Sequence, residues 1–189
     1  GRMIETARRL DGPSAIRYPR EAPPPAAALG GNEPPEPLAI GEAEVVEPPA
    51  GSGAPVWFWA LGDCVPLACA AAALLRARGT AAGVVNARFI KPIDLALLHR
   101  QAAGGAVFVT IENGALAGGF GSALAEAVAP LGVPPGHVLR FGWPDRFIPQ
   151  GEVQGLRDAF GLTAPAIAGA IGVALARHGV ADTKHGENE

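Results

Sequence analysis

The chain has 189 residues, 49% of them hydrophobic and 17% charged, with a formal net charge of −3. That is enough apolar material to bury the core of one ordinary α/β domain, and it argues against a disordered polar chain. Acidic and basic residues are interspersed, which leaves no footprint for nucleic acid and no basic membrane patch. Apolar stretches such as Ala68–Leu75 are far shorter than the roughly 18–20 residues of a membrane span.

The chain opens at Gly1 with no signal or transit peptide, then helix-like Met3–Leu10 and strand-like Ser14–Tyr18. Residues 1–20 are too few to fold alone and are expected to be the tail end of a preceding domain. Residues 21–37 hold Pro23, Pro24, Pro25, Pro34, Pro35 and Pro37, with Gly30 and Gly31 between them. Proline removes backbone donors and breaks helices, so this stretch is expected to be a linker.

Residues 38–180 read as a single domain. Leu38–Val46 is an edge strand or hairpin arm, and Val56–Leu61 is a wholly apolar run suited to a strand covered on both faces. Cys64–Arg78 predicts an Ala/Leu-rich helix stopped by Gly79. Ala82–Asn86 follows as a strand, Asp94–Ala103 as a helix and Ala106–Ile111 as another buried strand. Gly118–Leu131 predicts a helix, His137–Phe141 a strand, and Glu152–Phe160 and Pro165–His178 two closing helices. Residues 181–189 are polar and expected to fray. Strands alternating with helices predict an α/β fold, a three-layer α/β/α sandwich around a mostly parallel sheet of about five strands.

Ligands of open parallel sheets gather at the carboxyl ends of the strands. Three polar stretches are expected there: Asn86–Asp94, Glu112-Asn113 with Gly118–Gly121, and Gly142–Phe147. Arg88 either offers its planar fork to a phosphate or carboxylate, or pins its loop by a salt bridge to Asp94 or Asp145. Arg17 and Arg20 carry the same ambiguity. Gly118–Gly121 invites a phosphate-loop reading because free N–H groups at a helix start attract anions, but tight packing of that helix on the sheet explains the glycines equally well. Asp94 is expected to cap a helix. Glu112 and Asp145 are acid–base candidates with no third partner implied by spacing.

The four histidines form no ligand pair, and Cys64 and Cys69 are expected to be reduced thiols, compatible with the cytoplasm. Trp57 and Trp59 are expected in core or interface packing.

Taken together, several stretches resemble the 1-deoxy-D-xylulose-5-phosphate synthase family. Gly12–Arg20 is similar to the end of that family's central, pyrimidine-binding domain. Asn86–Asp94, Thr110–Asn113 with Ala117–Ala123, and Gly142–Gly151 are similar to its carboxy-terminal, transketolase-like domain. A Lys-Pro-Ile-Asp run after a strand also occurs in transketolases and in the β subunits of 2-oxoacid dehydrogenases, which are the alternative, as is a non-catalytic dimerisation module. Glu21 after Arg20 and Gln150 depart from the residues the family often has there.

The resemblance implies a transferase, a cytoplasmic homodimer of isoprenoid and thiamine biosynthesis that uses thiamine diphosphate and magnesium. It condenses pyruvate with glyceraldehyde 3-phosphate, with loss of CO2. It further implies that Arg17 and Arg88 hold the substrate phosphate. The catalytic, cofactor-binding and metal-binding groups are expected to precede Gly1, so these 189 residues alone are expected to be inactive.

Overall fold

The computed structural model describes residues 1–19 and 35–177. Arg20, the linker up to Pro34 and the tail 181–189 lie outside the described residues. Five strands, β1 (Glu44–Ala50), β2 (Ser52–Ala60), β3 (Thr80–Asn86), β4 (Val107–Ala115) and β5 (Val138–Trp143), form one sheet of order β1-β3-β2-β4-β5. β2 runs parallel to β3 and β4, and β4 parallel to β5, while β1 lies antiparallel on the β3 edge.

Alternation along β2 builds two cores. Val56, Phe58 and Ala60 face α2 (Val65–Arg76) and α6 (Ala164–Arg177), where Ala68, Ala72, Leu75, Ile167 and Ile171 are buried. Trp59 faces the other way, with Phe108 and Val85, towards α3 (Leu95–Ala103) and α4 (Phe120–Val128). Among the described residues, two further α-helices are α1 (Arg2–Arg8) and α5 (Val153–Ala159). Each fully buried Ile, Leu or Phe contributes about 1.5–3 kcal/mol, so both helical layers are held chiefly by apolar burial. The predicted three-layer α/β/α sandwich with five mostly parallel strands is what the chain forms.

Local chemistry explains the boundaries. α2 has a proline in its first turn, where no N–H is missed, and the chain leaves it through Gly79 at φ +86°. Asp94 caps α3 as predicted: Oδ1 accepts from the Leu97 N–H at 2.9 Å. Its other oxygen accepts from the Ala43 N–H at 3.0 Å, tying the approach to β1 to the start of α3. Trp59 donates from Nε1 to Gln101 Oε1 at 2.8 Å, and both side chains are buried. Neither cysteine is in a disulfide, and burial, followed by the nearby Glu47, pushes the Cys69 thiol up.

Three expectations are corrected. Ser14–Tyr18 forms no strand and is exposed, because no described strand offers it a ladder. β1 lies at Glu44–Ala50, later than the predicted Leu38–Val46, and carries Pro48 and Pro49. An edge strand tolerates prolines where its N–H side is free, and the register slips twice along this stretch. Residues Val153–Arg177 are long and apolar enough to cross a membrane by length and composition alone. Here they break into α5 and α6, and α6 buries Ile167, Ala168, Ile171 and Leu175 against the sheet layer.

Candidate functional site

The carboxyl ends of the four parallel strands bring together the polar stretches singled out in the sequence. β3 ends at Asn86, and Arg88 stands two residues beyond it with φ +57°, a left-handed backbone unusual for a non-glycine residue. Its N–H donates to Asn86 Oδ1 at 3.2 Å, and the preceding Ala87 N–H donates to the Ala60 carbonyl at 2.9 Å. The guanidinium Nη2 lies 2.6 Å from Glu44 Oε2. The arginine side chain is 16% exposed and the glutamate 47%. A salt bridge therefore exists, but its partner is Glu44 rather than Asp94 or Asp145. Asp94 is committed to the α3 cap, and Asp145 is exposed.

Arg17 reaches the same edge from the other end of the chain. Its Nη2 donates to the Asn113 carbonyl at 3.1 Å. Asn113 lies two residues past Ile111, the last β4 residue paired with β2. The two arginines thus stand over the ends of β4 and β3, with β2 between them, and each has a different protein partner.

Asn113 also joins a polar chain across the edge. Its Nδ2 donates to Asp63 Oδ2 at 3.1 Å, and its Oδ1 accepts from Trp143 Nε1 at 2.8 Å. Asp63, in the single turn after β2, accepts a second bond from Arg157 Nη2 of α5 at 2.8 Å. Trp143 meets Phe160 edge-on at 5.6 Å, and the Arg146 guanidinium lies over the Phe160 ring at 5.4 Å.

Glu112 is 5% exposed and is the anion at the start of α4. Its oxygens accept from the Phe120 and Gly121 N–H groups, each at 2.8 Å. A Cβ at Gly119 would strike the Glu112 carboxylate, and one at Gly121 would come within 2.5 Å of Thr110 Oγ1. The glycines therefore let the helix start close over the protein's own carboxylate. This overturns the phosphate-loop reading, since two of the amides that would bind a phosphate already have a buried partner. It also gives Glu112 a structural task at the start of α4.

Asp63, Asn113, Trp143, Arg157 and Glu44 were not singled out individually by spacing. Their partners lie 30 to 96 residues away where hydrogen bonds join them, and no short motif links them. For Glu112 the one faint signal is Gly119, which gives α4 no side-chain cap of its own and leaves its first N–H groups open to an acceptor from elsewhere. Among the described residues, no three His, Cys, Asp or Glu side chains come together as a metal site.

A family model described as the transketolase C-terminal domain matches residues 45–167. The chain is 42% identical over 164 residues to a protein of Acidobacterium capsulatum named 1-deoxy-D-xylulose-5-phosphate synthase, covering 87% of this chain and 25% of that protein. It is 42% identical over 177 residues to the 1-deoxy-D-xylulose-5-phosphate synthase 2 of Geobacter sulfurreducens, covering 93% of this chain and 27% of that one. The chain therefore spans about a quarter of the length of these curated relatives. Among solved structures, a chain titled "Split gene transketolase, inactive beta4 tetramer" superposes with a TM-score of 0.61 at 34% identity. That match covers 74% of this chain and 44% of the other.

Proposed function

The chain belongs to the transketolase C-terminal domain family, and from that premise we propose that it is the carboxy-terminal part of a 1-deoxy-D-xylulose-5-phosphate synthase. In this reading the whole enzyme joins pyruvate to glyceraldehyde 3-phosphate with loss of CO2, and this chain supplies the seat for the phosphate of the acceptor aldehyde. Relatives bearing that name align along 87% and 93% of the chain, which supports the synthase over other members of the superfamily.

The observation that carries the phosphate reading is the position of Arg17 and Arg88. They stand over the ends of two parallel strands separated by one other. Strands two apart lie about 10 Å from each other, a gap two extended arginine side chains span from either side. Charge-assisted bonds from two planar forks suit a phosphate dianion better than a lysine pair would, because each fork matches the spacing of two oxygens. The remote phosphate then anchors the substrate, and its binding energy orients the aldehyde for attack.

Thiamine diphosphate, the cofactor of the family, supplies the carbanion equivalent that attacks the aldehyde. The described residues do not fit it or its magnesium ion: they offer no cluster of metal ligands, and the glycine-rich helix start is filled by Glu112. Both groups are assigned in this proposal to parts of the enzyme outside these 189 residues. The same holds for the proton-handling groups, and the chain expressed alone is expected to give no product. A homodimer in the cytoplasm completes the proposal. Exposed Tyr18 and Phe147 are side chains that an interface would cover.

Arg88→Ala in the full-length polypeptide tests the phosphate seat. Losing a charge-assisted pair is worth roughly 1.5–3 kcal/mol, so KM for glyceraldehyde 3-phosphate is expected to rise about tenfold to hundredfold. KM for pyruvate should stay put. Unchanged kinetics towards the phosphorylated aldehyde would sink the assignment.

A further inference from the structure

Arg88 meets Glu44 before it meets any substrate, and the two residues are held in very different ways. The backbone at Arg88 is fixed without the glutamate, by the Ala87 N–H bond to Ala60, the Arg88 N–H bond to Asn86 and the buried Ala87 side chain. The arginine side chain is itself largely enclosed, at 16% exposure. Glu44 begins the edge strand β1, and its side chain is 47% exposed, so its carboxylate can turn into water at little cost in solvation. One corner of the guanidinium, Nη2, carries the contact, 2.6 Å from Glu44 Oε2. A guanidinium has five donors, and a phosphate bound bidentately uses two of them.

From this asymmetry we propose that Glu44 is a displaceable counter-ion of the phosphate seat. It neutralises Arg88 while the site is empty and swings into solvent when a phosphate dianion takes its place on the guanidinium. The inference rests on the reading of Arg88 as a phosphate ligand and adds a residue that sets how tightly, and how selectively, phosphorylated substrates are held. Glu44 lowers the affinity of the seat for every phosphate, product included, and so favours release. A fixed positioning role would have called for a buried carboxylate, whereas this one is the more exposed partner.

Glu44→Gln keeps the shape and removes the charge. In the full-length polypeptide, KM for glyceraldehyde 3-phosphate is expected to fall roughly twofold to fivefold, the range of a half-exposed ion pair. The inhibition constant of inorganic phosphate should fall in step. KM for pyruvate and the rate with unphosphorylated glyceraldehyde should not move, which a merely structural role would not predict. In Arg88→Ala the effect of Glu44→Gln should vanish. A KM that is unchanged or higher in Glu44→Gln overturns the counter-ion role while leaving Arg88 as the phosphate ligand. Arg88→Ala with unaltered phosphate preference instead overturns the underlying reading, so the two failures are told apart.

Discussion

At the scale of single residues, the most informative group is a carboxylate held by the backbone. Glu112 is a buried carboxylate whose two oxygens each take one backbone N–H at the start of α4, where the helix dipole also favours negative charge. Gly119 and Gly121 have no Cβ because that carboxylate and Thr110 fill the space. Glu112→Gln replaces one acceptor with a donor, so one of the two N–H groups must face an NH2. The expected loss of stability is about 1–3 kcal/mol, the penalty for stranding a buried polar group. Glu112→Ala strands both amides and opens a void, and should lose more. Urea unfolding of the three proteins checks the order, and a Gln variant with the wild-type midpoint would show that the charge is not what holds α4 in place.

At the scale of elements, the order β1-β3-β2 poses a problem that one glycine solves. β1 and β2 are separated in sequence by Gly51 alone, yet β3 lies between them in the sheet. The chain must cross the start of β3, and it does so at Gly51 with φ +129°, where an added Cβ would sit 2.7 Å from the Ala81 nitrogen and 2.8 Å from the Thr80 carbonyl carbon. Those are backbone atoms held in the sheet and cannot move aside. Gly53 is the natural control: it too has positive φ, +82°, but open space around it. Gly53→Ala should lose only backbone strain, about 1 kcal/mol, whereas Gly51→Ala should lose distinctly more. Equal urea midpoints for the two variants would refute the crossing argument.

This corner also shows what the sequence made legible. Buried strands and helices declared themselves by wholly apolar runs and by Gly79 and Asp94 at their ends. β1 lies later than expected because it runs through Pro48 and Pro49, which an edge strand accommodates.

At the scale of the whole molecule, α5 is joined to the rest by a different kind of force from α2, α3, α4 and α6. No residue of α5 is buried, so it has no apolar face in the core. What holds it is the line from Arg157 to Asp63, Asn113 and Trp143, together with the edge-on meeting of Trp143 and Phe160. That line runs across the ends of β2, β4 and β5, and its Asn113 also receives Arg17. Sequence reading located the edge and the arginines but not this line, because ion pairs between residues 94 apart leave no periodic trace. Asp63→Ala removes the shared acceptor and leaves the Arg157 guanidinium, 17% exposed, without its carboxylate. Breaking a partly buried charge-assisted pair weakens local structure by roughly 1–3 kcal/mol, while the two apolar cores are untouched. Amide exchange in Val153–Ala159 should therefore speed up by about fivefold or more, with β2, β4 and α6 unchanged. If exchange in α5 keeps its wild-type rate, the helix is held by its aromatic contacts alone. If protection is lost throughout, Asp63 supports the sheet itself and the division between pinned and packed helices is wrong.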